Sequence, residues 1–450
     1  MQNDAVKRLD QAIDGIRDTL VRDTIRLINI PSVRSDPEPG APFGRGPRAV
    51  LDEVMAWGKR EGFFVTDYGV GVVSLALREG QPDLGIWAHG DVVAVGDGWS
   101  FPPFAGQEYK GCIIGRGATD NKGQLCASFH LLKLFRDLEI PLRYNVALYV
   151  GSDEESGMHD MCGLEDGNPD ARGFMNVCTP PRLSLVPDSS FPVGYGGRGK
   201  MLVKLRAKKP IRATIAMGQP GKLGLAEAEL DGEHFEAYVP PRHGAHPSPD
   251  GNALTKLTEQ LLARELPEDD RKTLQFLHDA SLDIYGATLG IDVPSENMGR
   301  MTLNTDGVET VDGRPELTVS IRHVDSIPED EIFRRIRESA DAAGFDTTFT
   351  ELRQHPYLLD RNDPKVDMLT AIANEIRGED KKPFTLSGAT YANRLPNAYA
   401  FGMGGCRPPE DFPKGKGGAH GVDESVSLDR LQSAMRIYAR SLLALNECAW

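Results

Sequence analysis

Histidines and carboxylates of the kind that bind divalent metal ions occur in five well-separated segments of the sequence. One segment is His89-Gly90-Asp91, a second contains the pair Glu154-Glu155, and a third contains Asp188. Two glycine-rich turns add Asp120 and His420. Imidazole nitrogens and carboxylate oxygens are the donors of catalytic zinc sites, and this number of donors suits two ions better than one.

Three of these segments follow short apolar runs that we predict to be β-strands. In an open α/β sheet, ligands bind beyond the carboxyl ends of the strands, so such strands would collect their polar loops at one edge. The predicted strands, which precede His89, Glu154 and Asp188, are Leu84–Ala88, Val146–Val150 and Leu183–Val186.

Each segment on its own also has a simpler interpretation. His89 could be a histidine paired locally with Asp91, and Glu154-Glu155 could be a solvated turn. Asp188 could be a helix N-cap, and His420 could lie in a surface loop. Only the order and spacing of the whole set favours a metal centre.

Taken together, the motifs resemble those of the di-zinc exopeptidase and deacylase family. That family includes carboxypeptidase G, aminoacylase, the acetylornithine and succinyl-diaminopimelate deacylases, and bacterial dipeptidases. The resemblance covers nearly the whole chain. The motifs that carry it are His89-Gly90-Asp91, Gly117-Ala118-Thr119-Asp120-Asn121-Lys122-Gly123, Glu154-Glu155-Ser156-Gly157, Pro187-Asp188 and His420.

The resemblance implies two metal ions that share the carboxylate of Asp120. His89 and Asp188 would complete the site of one ion, and Glu155 and His420 would complete the other. This donor set suits Zn²⁺ and also accepts Mn²⁺ or Co²⁺.

The implied reaction is metal-dependent hydrolysis of the peptide bond of dipeptides or short peptides by a hydroxide that bridges the ions. Glu154 would be the general base, taking a proton from the water and passing it to the leaving amine. Asp91 would accept the second ring N–H of His89 and fix its tautomer.

Two further residues are implied to act on the substrate. His246 would stabilise the oxyanion, with His243 as the competing choice in the same loop. Arg322 would bind the C-terminal carboxylate of the substrate with its guanidinium group, although it could also be an exposed strand arginine. The loop Ser387–Tyr391 resembles a substrate-side loop of the dipeptidase branch.

The pattern of elements predicts an α/β catalytic domain with a mixed, mostly parallel sheet, interrupted by an inserted α+β lid domain. We place the first catalytic segment at 1–195, the lid at 196–354 and the second catalytic segment at 355–450. The long lid is similar to that of the PepV-like (Sapep-type) dipeptidases. This implies a monomer whose lid closes over short peptides, with a homodimer as the alternative.

Composition excludes several classes of function. The net charge of −15 argues against nucleic acid or an anionic membrane as a partner. No apolar run reaches the ~20 residues that span a bilayer. The N-terminal residues have the pattern of an amphipathic helix, from Val6 to Leu20, and not of a signal peptide. The six cysteines form no C-x-x-C pair, so we predict reduced thiols and a cytoplasmic protein.

Other functions compete with the peptidase interpretation. An N-acyl or N-carbamoyl amino-acid amidohydrolase would use the same metal ligands. An inactive, metal-stabilised binding protein is disfavoured because Glu154 is present. The spacing of Gly194–Gly199 matches a dinucleotide fingerprint, but the strand-like Lys200–Leu205 follows where a helix is needed. No G-x-S-x-G motif of a serine hydrolase is present.

Overall fold

A computed structural model of the chain describes residues 2–163, 172–218, 224–240, 247–402, 404, 408–409, 411–412 and 415–449. Internal contacts divide the chain into two units. The first unit comprises Met1–Tyr195, Leu359–Phe384 and Thr390–Trp450, and the second comprises Gly196–Leu358 and Thr385–Ala389.

Both units contain helices and strands. The helices are α1 (Gln2–Gly15), α2 (Arg17–Ile28), α3 (Arg45–Glu61), α4 (Lys122–Asp137), α5 (His159–Cys162), α6 (Phe174–Val177), α7 (Ala253–Leu262), α8 (Glu268–Leu282), α9 (Glu329–Ala342), α10 (Pro364–Arg377) and α11 (Leu428–Glu447). Two 3₁₀ turns cover Pro249–Gly251 and Tyr391–Asn393.

The strands are β1 (Phe64–Asp67), β2 (Val72–Ala76), β3 (Leu84–His89), β4 (Gln107–Tyr109), β5 (Cys112–Ile114), β6 (Val146–Gly151), β7 (Leu183–Val186), β8 (Gly194–Gly197), β9 (Gly199–Ala207), β10 (Thr214–Met217), β11 (Leu225–Leu230), β12 (Glu233–Tyr238), β13 (Pro294–Ser295), β14 (Gly299–Arg300), β15 (Thr302–Val311), β16 (Arg314–His323), β17 (Phe345–Gln354), β18 (Tyr357–Leu358), β19 (Phe384–Leu386), β20 (Ala398–Ala400) and β21 (Ser425–Ser427).

The main sheet of the first unit runs in the order β1-β2-β6-β3-β7-β20-β8. Its four central strands, β6, β3, β7 and β20, are parallel to one another. The pairs at both ends are antiparallel. The predicted α/β class with a mixed sheet and a parallel centre is therefore confirmed.

Burial explains why the central strands read as continuous apolar runs. Every residue of β3 and of β6 is buried, which requires both faces of the sheet to be covered. Helix α4 packs against both strands, and α11 packs against α1, α4 and α10. Trp57 on α3 contacts Phe129 on α4, with ring centroids 5.3 Å apart.

The N-terminal amphipathic pattern forms two helices, whereas the sequence predicted one. Helix α1 ends at Gly15 and α2 begins at Arg17, because glycine is among the poorest helix formers. The predicted apolar face is nevertheless correct, since Leu9, Ile13 and Leu20 are fully buried.

The second unit contains a seven-stranded antiparallel sheet in the order β12-β11-β10-β15-β16-β9-β17. Burial alternates along β9, as the sequence predicted for a strand covered on one face. Strand β9 also follows β8 directly, so no helix N-terminus is present to bind a pyrophosphate. The unit extends to Leu358, four residues beyond the predicted boundary, because β18 pairs with Gly196 and Gly197.

No helix in the described part of the chain is long and apolar enough to cross a lipid bilayer. The cysteines in that part form no disulfide with one another; they are Cys112, Cys126, Cys162, Cys178 and Cys448. Cys406 lies outside the described residues.

Candidate metal centre

The register of the parallel strands brings three of the predicted segments to one edge of the sheet. Ile86 on β3 pairs with Leu185 on β7, so His89 and Asp188 each lie three residues beyond a paired position. His89 also pairs with Gly151, the last residue of β6, and the loop of Glu154 begins there. The carboxyl ends of three adjacent strands thus supply a histidine and several carboxylates.

A small separate sheet brings the remaining two segments together. Strand β21 pairs with β5, with Ser425 opposite Ile114. The loop of Asp120 follows β5 and the loop of His420 precedes β21, so this pairing places the two loops side by side. Residues 300 positions apart in sequence thereby become neighbours.

Two groups of ligand-type side chains lie close enough to hold an ion each. His89, Asp120 and Asp188 form one group, and Asp120, Glu155 and His420 form the other. Within each group the candidate ligand atoms all lie within 4.8 Å of one another. Asp120 belongs to both groups.

Individual distances show how Asp120 joins the two groups. Its Oδ1 lies 3.1 Å from His89 Nε2, and its Oδ2 lies 3.1 Å from His420 Nε2. His420 Nε2 also lies 3.0 Å from Glu155 Oε1, and His89 Nε2 lies 3.7 Å from Asp188 Oδ2. Each group offers one imidazole and two carboxylates, which fits a zinc ion with three protein ligands and an open position.

The charges of this cluster are strongly coupled. Burial, followed by the negative charge of Asp120, raises the pKa of Asp188 to about 7. Burial also acts to raise the pKa of Asp120, but hydrogen bonds from His420 and His89 hold it below its ordinary value. Hydrogen bonds to Asp120 and Glu155 raise the pKa of His420 to about 11. Several acids compete for two imidazoles, which is the charge balance expected of a cation site.

Glu154 is buried beside this cluster. Its Oε1 atom has no hydrogen-bond partner among the residues that the structure describes. Burial, followed by the negative charge of Asp188, raises the pKa of the Glu154 carboxyl well above its ordinary value. Burial excludes the interpretation of Glu154 as part of a solvated turn, and its raised pKa suits a proton acceptor.

Asp91 supports two parts of the cluster at once. Its Oδ1 accepts a hydrogen bond from the main-chain N–H of Glu154 at 3.1 Å, and Oδ2 accepts one from that of Glu155 at 3.0 Å. His89 Nδ1 lies 3.1 Å from the main-chain oxygen of Asp91 and 3.4 Å from its carboxylate. Asp91 therefore orients the glutamate pair as well as the histidine, whereas the sequence suggested only the second contact.

Glycines allow the loop of Asp120 to fold tightly. Gly117 has a φ of +89°, in the left-handed region that favours glycine. A Cβ atom at Gly123 would lie 2.3 Å from the carbonyl oxygen of Ala118, which is closer than side chains approach. Both positions therefore need glycine for physical reasons.

Tyr391 and Asp160 form a buried support that the sequence did not identify. The Tyr391 hydroxyl donates to Asp160 Oδ2, which also accepts from the main-chain N–H of Ser152 at 2.8 Å. The Tyr391 ring stands edge-on to His89, with centroids 6.4 Å apart. Tyr391 is only 1% exposed, so it supports the site from behind and does not form a substrate-facing surface.

The two predicted substrate-binding residues belong to the second unit. His246 and the competing His243 lie outside the described residues. Arg322 lies on β16, opposite Thr302 on β15 and Lys200 on β9. Burial lowers the pKa of Arg322, and within the described part of the chain its Nε atom has no hydrogen-bond partner. A partly buried guanidinium with an unpaired donor fits an anion-binding role better than the role of an exposed strand arginine.

Comparison with known proteins identifies relatives in sequence and in structure. Residues 85–444 match the model of Peptidase family M20/M25/M40. The chain is 28% identical over 469 residues to "Putative dipeptidase YtjP" of Bacillus subtilis (strain 168), covering 95% of this chain and 97% of that protein.

Solved structures of similar fold cover almost the whole chain. Human carnosine dipeptidase 1 matches with a TM-score of 0.61 and 17% identity, over 98% of this chain and 100% of the other. The dipeptidase Dug1p of Saccharomyces cerevisiae matches with a TM-score of 0.61 and 16% identity, over 99% of each chain. At these identities the likeness concerns the fold. The family resemblance inferred from the motifs is confirmed, and the chain belongs to Peptidase family M20/M25/M40.

Proposed function

We propose that this protein is a metal-dependent dipeptidase that hydrolyses the peptide bond of dipeptides or short peptides. The observation that carries the proposal is the pair of ligand groups that share Asp120. Membership of a peptidase family and similarity to proteins named as dipeptidases support the same reaction.

The site would hold two ions, which we propose to be Zn²⁺, with Mn²⁺ or Co²⁺ as substitutes. His89 and Asp188 would bind one ion, Glu155 and His420 the other, and Asp120 both. Such a pair of ions lowers the pKa of a shared water molecule toward about 7.

Glu154 is proposed as the group that moves the proton. It would accept a proton at its carboxylate and then donate it to the nitrogen of the leaving amine. Its burial supports this role, because burial raises the pKa of the carboxyl and so makes its carboxylate a stronger base. Asp91 would keep Glu154 in place by accepting a hydrogen bond from the main-chain N–H of Glu154.

The second unit is proposed to recognise the substrate. Arg322 would bind the C-terminal carboxylate, for which a planar guanidinium offers two parallel N–H donors. His246 would donate a hydrogen bond to the oxyanion, a proposal that comes only from the family motif. The runner-up function is the deacylase reaction on N-acyl or N-carbamoyl amino acids, which needs the same ligands and a different acyl pocket.

We propose that the substrate is a peptide and that the active protein is a monomer. Localisation in the cytoplasm is a prediction from the cysteine pattern.

A substrate panel tests the dipeptidase proposal against its runner-up. Dipeptides with both termini free should be hydrolysed, with kcat/KM about tenfold or more above that of N-acetyl and N-carbamoyl amino acids with the same side chain. Chelation should abolish hydrolysis and added Zn²⁺ should restore it, because the ligands lie ready for the ion. Faster hydrolysis of the acylated amino acids would establish the deacylase instead.

Glu154→Gln tests the proton-transfer role. The amide has the shape of the carboxyl but cannot accept the proton, so kcat should fall by about 10²–10⁴-fold. Zinc content, measured by elemental analysis, should stay at the wild-type value. The control Glu79→Gln changes an exposed glutamate and should leave both quantities unchanged. Turnover of Glu154→Gln within tenfold of wild type would contradict the role.

Arg322→Met tests recognition of the substrate carboxylate. A hydrogen-bonded ion pair of this kind contributes about 1.5–3 kcal/mol, so C-terminal amidation of the dipeptide should lower kcat/KM by about 10–150-fold in wild type. Arg322→Met should lose a similar factor on the free acid and discriminate little between acid and amide. Lys204→Met removes an exposed cation from β9 and should behave like wild type. Equal rates for acid and amide in wild type would exclude a carboxylate clamp.

A further inference from the structure

Two buried charged residues connect the loop of Asp120 to the loop of His420. Arg116 is 1% exposed and Glu424 is fully buried. Arg116 Nη1 donates to Glu424 Oε2 at 2.6 Å. Neither residue belongs to the ligand groups described above.

The Glu424 carboxylate organises the main chain around Asp120. Its Oε1 accepts hydrogen bonds from the N–H groups of Thr119 and Asp120, each at 2.9 Å. Its Oε2 accepts a third hydrogen bond from the N–H of Gly117 at 3.2 Å. One side chain therefore fixes three points of the turn that carries the shared ligand.

Arg116 performs the corresponding task for His420. Its Nη2 donates to the main-chain oxygen of His420 at 3.3 Å and to that of Ala94 at 3.2 Å. Its guanidinium also lies over the Trp99 ring, 5.1 Å from the centroid. His420 has a φ of +61°, a conformation that is uncommon for residues other than glycine, so its backbone benefits from an external tether.

The free-energy cost of burying two charges indicates that this ion pair does more than stabilise the fold. Burying two charges is costly, and neutral replacements of buried pairs are often as stable or more so. The hydrogen bonds of this pair end instead on the backbones of Asp120 and His420, two of the three residues in one ligand group. Among the described contacts, neither Arg116 nor Glu424 touches His89 or Asp188, which belong to the other group.

We propose that Arg116 and Glu424 are positioning residues that set the geometry of the Asp120–Glu155–His420 metal position. This inference rests on the proposed two-ion function. It adds that the two positions depend unequally on this pair. Loss of the pair should weaken the ion held by Glu155 and His420 more than the ion held by His89 and Asp188, because the pair holds the backbones of two ligands of the first ion, Asp120 and His420, and of only the shared Asp120 of the other.

Glu424→Gln tests the inference, since it preserves shape but removes the charge and at least one acceptor site. Zinc affinities are measured by competition with a chromophoric chelator, and zinc content is measured after dialysis at a fixed free zinc concentration. We expect wild type to bind two ions. The variant should bind the ion of the Asp120–Glu155–His420 position about 10–100-fold more weakly, the usual effect of losing a residue that orients a ligand, and should bind the other ion with a smaller loss.

The control is another buried carboxylate with an arginine partner. Asp270, 6% exposed in the second unit, accepts hydrogen bonds from the main-chain N–H of Arg212 at 3.1 Å and from its Nε at 3.3 Å. Asp270→Asn should leave both zinc affinities unchanged. Thermal unfolding of the zinc-free proteins reports folding, and if Glu424→Gln does not fold, Arg116→Lys takes its place. The lysine keeps the charge but cannot span the same acceptors, so it should show the same selective loss.

The outcomes separate the two levels of the proposal. Selective weakening of one ion supports the positioning role, because general destabilisation would weaken both ions together. Equal affinities in wild type and variant, or equal weakening of both ions, would overturn the positioning role and leave the dipeptidase proposal standing. Fewer than two ions in wild type would overturn the two-ion function, and the positioning role with it.

Discussion

The site depends on one electrostatic constraint, which is that several carboxylates lie close together and buried from solvent. Asp120, Asp188, Glu154 and Glu155 lie together, and in the described part of the chain the imidazoles of His89 and His420 lie among them. Burial and mutual repulsion raise the pKa of Glu154, Glu155 and Asp188. Divalent cations would relieve this repulsion, because each supplies two positive charges where the carboxylates converge. The fold accepts an unfavourable cluster that becomes favourable when cations bind.

The scaffold holds this cluster with two different devices. The parallel strands β3, β6 and β7 supply one edge, where register alone places His89 level with Asp188. The pairing of β5 with β21 places the loops of Asp120 and His420 side by side, and the buried ion pair of Arg116 and Glu424 links these loops. The rigid core fixes His89 and Asp188. Asp120 and His420 depend instead on contacts between loops, which is why we expect the two metal positions to respond differently to mutation.

The sequence predicts the strands well because strands follow local apolar patterns, and the candidate ligands are found because they follow those strands and turns directly. The apolar run Leu183–Val186 matches β7 at both ends, and His89 stands at the end of β3 as expected. Residues that support the ligands were missed because their partners are far away in sequence. Arg116 and Glu424 are 308 residues apart, and Tyr391 reaches Asp160 across 231. Only tertiary packing brings them together, and no periodicity or spacing reveals it. The break between α1 and α2 was missed for another reason, since the apolar spacing continues across Gly15.

The central claim is that distant loops assemble a centre for two cations around one shared carboxylate. Anomalous diffraction at the zinc absorption edge, from crystals grown with excess Zn²⁺, tests this claim most directly. We expect two anomalous peaks about 3.5–4 Å apart, one beside His89 and Asp188 and one beside Glu155 and His420, with Asp120 between them. A single peak, or peaks away from these side chains, would contradict it.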